Sequence, residues 1–289
     1  MDDFELRRLK NKELALQRAE RDRLHAVAEV RVSFRASPSR CDLMGTTVSG
    51  LLANRRTKLA AVVCHPWGPL GGSMADPTVR ALTKLLGNAA GLSTLRFNFR
   101  SGLGCGYASA ADVSAAVRFV MHELAEAERV LLVGFSYGAS VVASVAAGLA
   151  DVCAVVLVAP PLGYQRALFM GRSPIPPEFM SSAKPKLALC GDSDQFCSQA
   201  MFLDFCSELR HPKKYELVHG GFQQCGDHVH HQGVHHFNLY LHIDDYIKSW
   251  LADTFGCDFE ELASCDGRPV PQNFDYPSGD EQSVGESDT

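Results

Sequence analysis

Short apolar runs alternate with segments of helical periodicity along the middle of this 289-residue chain. Apolar runs bounded by Gly, Pro and Ser are typical of buried strands, and apolar residues three or four positions apart are typical of covering helices. The runs predict strands at Ala28–Arg35, Leu43–Leu52, Lys58–His65, Leu92–Phe99, Val130–Val133, Cys153–Ala159, Lys184–Cys190 and Tyr215–His219. Because strands and helices alternate, we expect an α/β fold with a doubly wound, mostly parallel sheet.

Local signals set the helix boundaries. Asp76 and Pro77 are the residue types favoured as the N-cap and first position of a helix. The segment from Ser109 to Asp112 resembles a capping box and predicts a helix that runs to about Ala127. Two further helices are predicted near Ser198–Leu209 and Leu239–Leu251.

The two ends of the chain differ from its middle. Residues 1–27 mix both charge signs with several leucines, which predicts a charged N-terminal helix. Residues 28–255 carry the strand and helix patterns and form the expected α/β domain. Residues 256–289 are acidic and rich in Gly, Pro and Ser, which predicts a disordered tail.

Composition narrows the class of protein. A net charge of −5 and a pI near 6.1 give no reason to expect nucleic acid or an anionic membrane as a partner. No apolar run approaches the length of a membrane span, and the N-terminus lacks the apolar region of a secretory signal. Cys64, Cys153 and Cys190 fall in strand patterns, which favours reduced thiols and a cytoplasmic protein.

The strongest chemical signal is the Gly-Phe-Ser-Tyr-Gly segment at residues 134–138. It follows the apolar run Val130–Val133 and precedes an Ala-rich helical pattern. A Ser in such a strand–turn–helix setting sits on a strained turn with its hydroxyl exposed, and the two glycines avoid a clash there. We therefore interpret Ser136 as a nucleophile, the alternative being an ordinary glycine-rich turn.

A serine nucleophile needs a base, and the base needs an orienting acid. Asp194 follows the strand that ends at Cys190 and is the first candidate for the acid. Asp192 is the second candidate, and both carboxylates could instead be turn formers.

The base is predicted from a histidine-rich segment, because eight of the eleven histidines lie between residues 211 and 242. His236, just ahead of the last helix, is the first choice, and His228 is the second. Metal binding is an alternative for this segment, although the spacing of the possible ligands matches no standard zinc site. Those ligands would be Cys225, Asp227, His228, His230 and His231.

Two backbone amides should hold an oxyanion formed beside Ser136. The N–H of Tyr137 is one, and the loop after the Lys58–His65 strand should supply the other, from Trp67 or Gly68. Leu70 in that loop and Tyr164 in a short cap are candidates for contacting the substrate. The other apolar cap residues, Phe169, Met170 and Phe179, could line an acyl pocket or form the core of the cap.

These segments together resemble the α/β-hydrolase superfamily, and within it the small-capped branch near dienelactone-hydrolase-like and serine-aminopeptidase-like esterases. The resemblance covers roughly residues 28–252 and rests on the segments His65–Met74, Leu95–Arg100, Gly134–Ala139, Gly191–Asp194 and Gly233–Phe237. It implies a triad of Ser136, Asp194 and His236, an oxyanion hole from the backbone of Trp67 and Tyr137, and no metal or organic cofactor. The chain departs from the pattern where about fifteen residues separate Gly221 from His236, and where His235 stands in place of the frequent Asp.

The expected activity is therefore that of a serine hydrolase acting on carboxylic esters or thioesters with small to medium acyl groups. A non-catalytic binding or scaffold protein that kept the fold is one alternative, and a peptidase or amidase is another. The expected partner is a small acyl substrate; the sequence carries no signal for the oligomeric state.

Overall fold

The computed structural model describes residues 27–37, 45–100, 106–164, 175–218 and 243–256. The predicted N-terminal helix, the predicted acidic tail and the segment 219–242 lie outside the described residues, apart from positions 27 and 256. None of the described helices is long and apolar enough to cross a membrane.

The described part of the chain forms one eight-stranded sheet with the order β1-β2-β4-β3-β5-β6-β7-β8. The first two pairings in this order are antiparallel and the remaining five are parallel. This confirms the mostly parallel sheet. The strands are β1 Val30–Ala36, β2 Thr46–Ala53, β3 Leu59–Cys64, β4 Ser93–Phe97, β5 Arg129–Phe135, β6 Val152–Val158, β7 Lys186–Gly191 and β8 Lys213–Val218.

Helices cover both faces of the sheet, as expected for a doubly wound fold. The described helices are α1 Pro77–Lys84, α2 Tyr107–Glu123, α3 Tyr137–Val145, α4 Pro177–Ser181, α5 Gln199–Glu208 and α6 Ile243–Phe255. Helices α1 and α6 bury their apolar side chains in one core, and α2, α3, α4 and α5 bury theirs in the other. Strands β3, β5 and β6 are buried along nearly their whole length, because both of their faces are covered.

The two outer strands, β1 and β8, carry charged side chains. In β1, Phe34 and Ala36 are buried, whereas Arg31 and Arg35 are exposed. In β8, the residues from Lys213 to Leu217 are half-buried or exposed, and only Val218 is fully buried. Charge is therefore concentrated on the two strands at the edges of the described sheet.

The predicted start of helix α1 is confirmed. The Asp76 carboxylate accepts hydrogen bonds from the backbone N–H groups of Thr78 and Val79, at 2.8 and 3.3 Å. Pro77 occupies the first turn, where its missing N–H leaves no donor unpaired.

The predicted capping box at the start of helix α2 is wrong. The helix begins at Tyr107, with Gly106 at the N-cap, and it ends at Glu123 rather than near Ala127. The Ser109 hydroxyl bonds the Tyr137 hydroxyl at 2.9 Å, and the Asp112 carboxylate binds Arg100. Both side chains make tertiary contacts, so neither caps the helix.

The remaining boundaries differ by a few residues. Strand β8 begins at Lys213, two residues before the predicted Tyr215, and helix α6 extends to Phe255. Phe179 on α4 is 1% exposed and belongs to the core beneath the cap, so it does not line an acyl pocket. Phe169 and Met170, the other predicted cap side chains, lie outside the described residues.

A buried ion pair joins the chain after β4 to helix α2. Arg100 Nε donates to Asp112 Oδ1 at 2.7 Å, and the Arg100 backbone N–H donates to Oδ2 at 2.9 Å. The two side chains are 5% and 0% exposed. Removing one partner of such a pair leaves a buried charge uncompensated.

We therefore expect Asp112→Ala to lower the free energy of unfolding by about 3–5 kcal/mol, measured by urea titration with circular dichroism. Glu128→Ala is the matched control, because Glu128 pairs with Lys58 where the side chains are 56% and 45% exposed. That change should cost no more than about 1 kcal/mol. Equal losses in the two variants would contradict a structural role for the buried pair.

Candidate functional site

The turn between β5 and α3 is made by one residue, Ser136. Its backbone has φ 54° and ψ −120°, a strained conformation for a residue with a side chain. The Ser136 N–H donates to the carbonyl of Val158 at 2.8 Å, which ties the turn to the end of β6. The Ser136 side chain makes no hydrogen bond that caps α3.

Two glycines make this turn sterically possible. A Cβ at Gly134 would lie 2.5 Å from the Cα and N of Ala139. A Cβ at Gly138 would lie 2.5 Å from the carbonyl oxygen of Cys64 and 2.7 Å from that of His65. The backbone of α3 therefore packs directly against the end of β3, as the G-x-S-x-G pattern predicts.

The first turn of α3 begins directly after Ser136. The helix spans nine residues from Tyr137, so its dipole places partial positive charge at this end. An oxyanion formed next to the Ser136 hydroxyl would be stabilised by that charge and by the Tyr137 N–H.

The loop after β3 carries Trp67 and Leu70 and begins against the turn of Ser136. The Trp67 carbonyl accepts from the N–H groups of Leu70 and Gly72, at 3.1 and 3.0 Å, and this folds the loop back on itself. A Cβ at Gly72 would lie 2.2 Å from the Pro66 carbonyl oxygen, so only glycine fits there. The structure thus brings the predicted oxyanion loop next to the serine turn.

His65 at the start of this loop is a structural residue. Its Nε2 accepts from the Phe99 N–H at 3.0 Å, so its Nδ1 carries the proton and donates to the Pro66 carbonyl. Burial lowers the pKa of His65, so the ring stays neutral at pH 7. With both ring nitrogens engaged, His65 is not the base.

Asp194 lies in the loop after β7 and is 8% exposed. Its Oδ1 accepts from the N–H groups of Phe196 and Cys197, at 2.7 and 3.1 Å. These bonds fix the carboxylate at the carboxyl end of β7, on the side of the sheet where β5 also ends. Strand β7 lies two positions from β5, which Ser136 follows. Adjacent strands lie about 4.8 Å apart, so the ends of β5 and β7 are separated by roughly 10 Å, a gap that the two side chains and an imidazole between them are long enough to span.

Asp192, the second candidate, is less buried and is engaged locally. Its Oδ1 accepts from the Ser193 hydroxyl at 3.1 Å, and its N–H donates to the Val218 carbonyl at 3.1 Å. The geometry therefore favours Asp194 over Asp192 as a fixed acid.

Tyr164 and Leu70, the predicted substrate contacts, are 50% and 71% exposed. The Tyr164 ring packs edge-on against Phe196, with 5.4 Å between ring centroids. Gly163 also donates to the Phe196 carbonyl at 3.1 Å. The turn after β6 is thus attached to the loop that carries Asp194 and Phe196.

The predicted bases, His236 and His228, lie outside the described residues, as does the alternative metal site. The other described histidines are placed away from Ser136. His122 ends α2 and His211 precedes β8, both at the end of the sheet where the strands begin. Strand β8, in contrast, ends at Val218 on the side of the sheet where β5 and β7 also finish. Within the described residues, no group of three or more His, Cys, Asp or Glu side chains could hold a metal ion.

The sequence did not predict a cluster of thiols near the loop that carries Asp194. Cys190, Cys197 and Cys206 are buried and free. The Cys190 thiol donates a hydrogen bond to Cys197, and this bond together with burial raises the pKa of Cys190, so this thiol stays protonated. The only signals in the sequence were Cys197, three positions after Asp194, and Cys190, near the end of β7.

Comparison of structures identifies the fold. An α/β serine hydrolase homologue from Coxiella burnetii is 25% identical, with a TM-score of 0.53 over 65% of this chain and 87% of that one. A lidless α/β serine hydrolase from Xanthomonas campestris is 20% identical, with a TM-score of 0.59 over 79% and 95%. A Pyrococcus furiosus esterase is 16% identical, with a TM-score of 0.61 over 79% and 91%.

These similarities show that the chain has the α/β-hydrolase fold. The fold class inferred from the sequence motifs is thereby confirmed. No protein-family model and no curated protein matches the sequence.

The contact at Gly138 can be tested by adding one methyl group. We expect Gly138→Ala to lower the free energy of unfolding by at least about 1–3 kcal/mol, because the backbone carbonyls of β3 cannot move aside. Gly148→Ala is the control, since nothing lies within 4 Å of its Cβ position. It should change stability by less than about 1 kcal/mol in thermal or urea melts. A fully stable Gly138→Ala variant would contradict the close approach.

Proposed function

We propose that this chain is a serine hydrolase that cleaves carboxylic esters or thioesters of small to medium acyl groups. The observation that carries the proposal is the strained backbone of Ser136, held between β5 and α3 beside two glycines where an added Cβ would lie 2.5 Å from backbone atoms. Strain of this kind persists where the surrounding structure maintains it and is found at active sites. The esterases and serine hydrolases of similar fold support the same chemistry.

In the proposed mechanism, Ser136 Oγ attacks the acyl carbonyl carbon while His236 takes its proton. Asp194 orients the imidazole and stabilises its charged form. The backbone N–H groups of Tyr137 and Trp67 hold the oxyanion of the tetrahedral intermediate. The alcohol or thiol leaves with the proton from His236, and water then hydrolyses the acyl-enzyme by the reverse proton transfers.

The short cap supports a substrate of limited length. The described part of the segment between β6 and β7 holds only a turn at Leu162–Tyr164 and the five-residue helix α4. Phe179 on α4 is committed to the core. Tyr164 and Leu70 would contact the acyl group from the rim of an open cleft.

Covalent labelling tests the nucleophile. A fluorophosphonate probe should label the protein at Ser136, and Ser136→Ala should abolish labelling and lower hydrolysis of p-nitrophenyl butyrate by at least about 10³-fold. Ser140→Ala is the matched control, because this buried hydroxyl on the same helix has no hydrogen-bond partner among the described residues. It should retain activity.

The same assay separates the alternatives. An unlabelled, inactive but folded wild-type protein would indicate a scaffold, and faster turnover of aminoacyl amides than of esters would indicate a peptidase.

In a chain-length series of p-nitrophenyl esters and matched thioesters, we expect the highest kcat/KM at short to medium acyl chains. A preference for long-chain triglyceride would contradict the open cleft.

The identity of the base is tested by separate histidine substitutions. We expect His236→Ala to lower kcat by at least about 10³-fold with little change in KM, because the base acts in the transition state. His228→Ala should leave kcat within about threefold of the wild-type value. If His228→Ala is the inactive variant, the base is His228 and the assignment of His236 is wrong.

A further inference from the structure

A groove of about 580 Å³ lies between helix α1 and the strands β2 and β4. Its size is that of a small-molecule site. Four cationic side chains and one carboxylate are among the residues that line it: Arg55, Arg80, Lys84, Arg96 and Glu29. Because the whole chain carries a net charge of −5, this concentration of positive charge is a local feature.

The groove is separate from the serine site. Ala53 at the end of β2 pairs with Thr94 at the beginning of β4, and both line the groove. Ser136 follows the opposite end of the parallel strands, where β5 finishes. A ligand in the groove would therefore lie away from the proposed reaction centre.

Two guanidinium groups are held in place by the fold. Arg55 Nη2 donates to Asn88 Oδ1 at 2.6 Å, and the Arg55 backbone N–H donates to Ser93 Oγ at 2.9 Å. Arg96 is 8% exposed and forms a two-pronged pair with Glu29 through Nε and Nη2. Burial also lowers the pKa of Arg55, which means that its positive charge is incompletely solvated.

The other two cationic side chains lie on one face of α1. Arg80 and Lys84 are exposed and lie four residues apart, so their side chains are neighbours on the helix surface. The helix itself contains no acidic residue, and Asp76, just before it, is engaged as the N-cap. Arg80 and Lys84 therefore both reach the groove from α1.

We propose that this groove, the α1 groove, binds a small molecule that carries phosphate groups. Guanidinium groups match phosphate oxygens in pairs, and the lysine adds a point charge at the same site. Arg80 and Lys84 on α1 contact the phosphates, and Arg55 faces them from the end of β2. The recessed shape, between a helix and a sheet, fits a soluble phosphate ester or diphosphate better than the flat surface of a membrane.

Calorimetric titration with inorganic pyrophosphate and with glycerol 3-phosphate tests the proposal on the full chain. We expect one binding site per chain and a higher melting temperature with pyrophosphate. The double variant Arg80→Gln, Lys84→Gln should weaken binding at least about tenfold, because each charge-assisted hydrogen bond is lost. Arg118→Gln is the control, an exposed arginine on α2 at the other face of the sheet, and it should bind pyrophosphate as the wild type does.

Two further readouts distinguish the outcomes. Hydrolysis of p-nitrophenyl butyrate without phosphate should be the same in the double variant and the wild type, which also shows that the variant is folded. The proposal is overturned if both variants bind pyrophosphate equally, if sodium sulfate at equal ionic strength binds as tightly, or if only vesicles containing phosphatidic acid bind. Because binding is measured directly, the proposal for the α1 groove can succeed or fail whether or not the chain is a hydrolase.

Discussion

The close approach of helix α3 to the end of strand β3 governs the geometry of the candidate site. At Gly138 the backbone of the helix lies against the carbonyls of Cys64 and His65, with no room for a side chain. The chain must therefore pass from β5 into α3 within one residue, and Ser136 takes the strained conformation that this requires. Because His65 also starts the loop of Trp67, this backbone contact holds that loop next to the turn of Ser136.

A line of aromatic contacts supports this turn from within the core. The Phe99 ring lies 4.6 Å from the His65 ring and 5.8 Å from the Tyr137 ring, between centroids. The Tyr137 hydroxyl in turn bonds Ser109 on α2. The loop after β3, the chain after β4 and two helices are thus connected behind Ser136. Rigid support of this kind holds a site in one geometry, as a preorganised oxyanion hole requires.

The sequence predicted those features that depend on neighbouring residues. Buried strands were evident from apolar runs, the Asp76 cap from its position before Pro77, and the turn of Ser136 from two nearby glycines. Features built from distant residues were not predictable. Ser109 matched a capping pattern, but its hydroxyl is used by a tyrosine 28 positions away. The α1 groove is likewise lined by side chains from β2, α1 and β4, and no local sequence pattern predicts it. Segment 219–242 carries so many histidines that spacing alone could not select the base.

The charged outer strands have a consequence for how copies of this molecule meet. An open strand edge presents unpaired N–H and C=O groups that can recruit a strand from another chain. Here the exposed arginines of β1, Arg31 and Arg35, would face like charges in a second β1 laid alongside. Edge-to-edge stacking into continuous ribbons is thereby disfavoured at the β1 edge of the eight described strands.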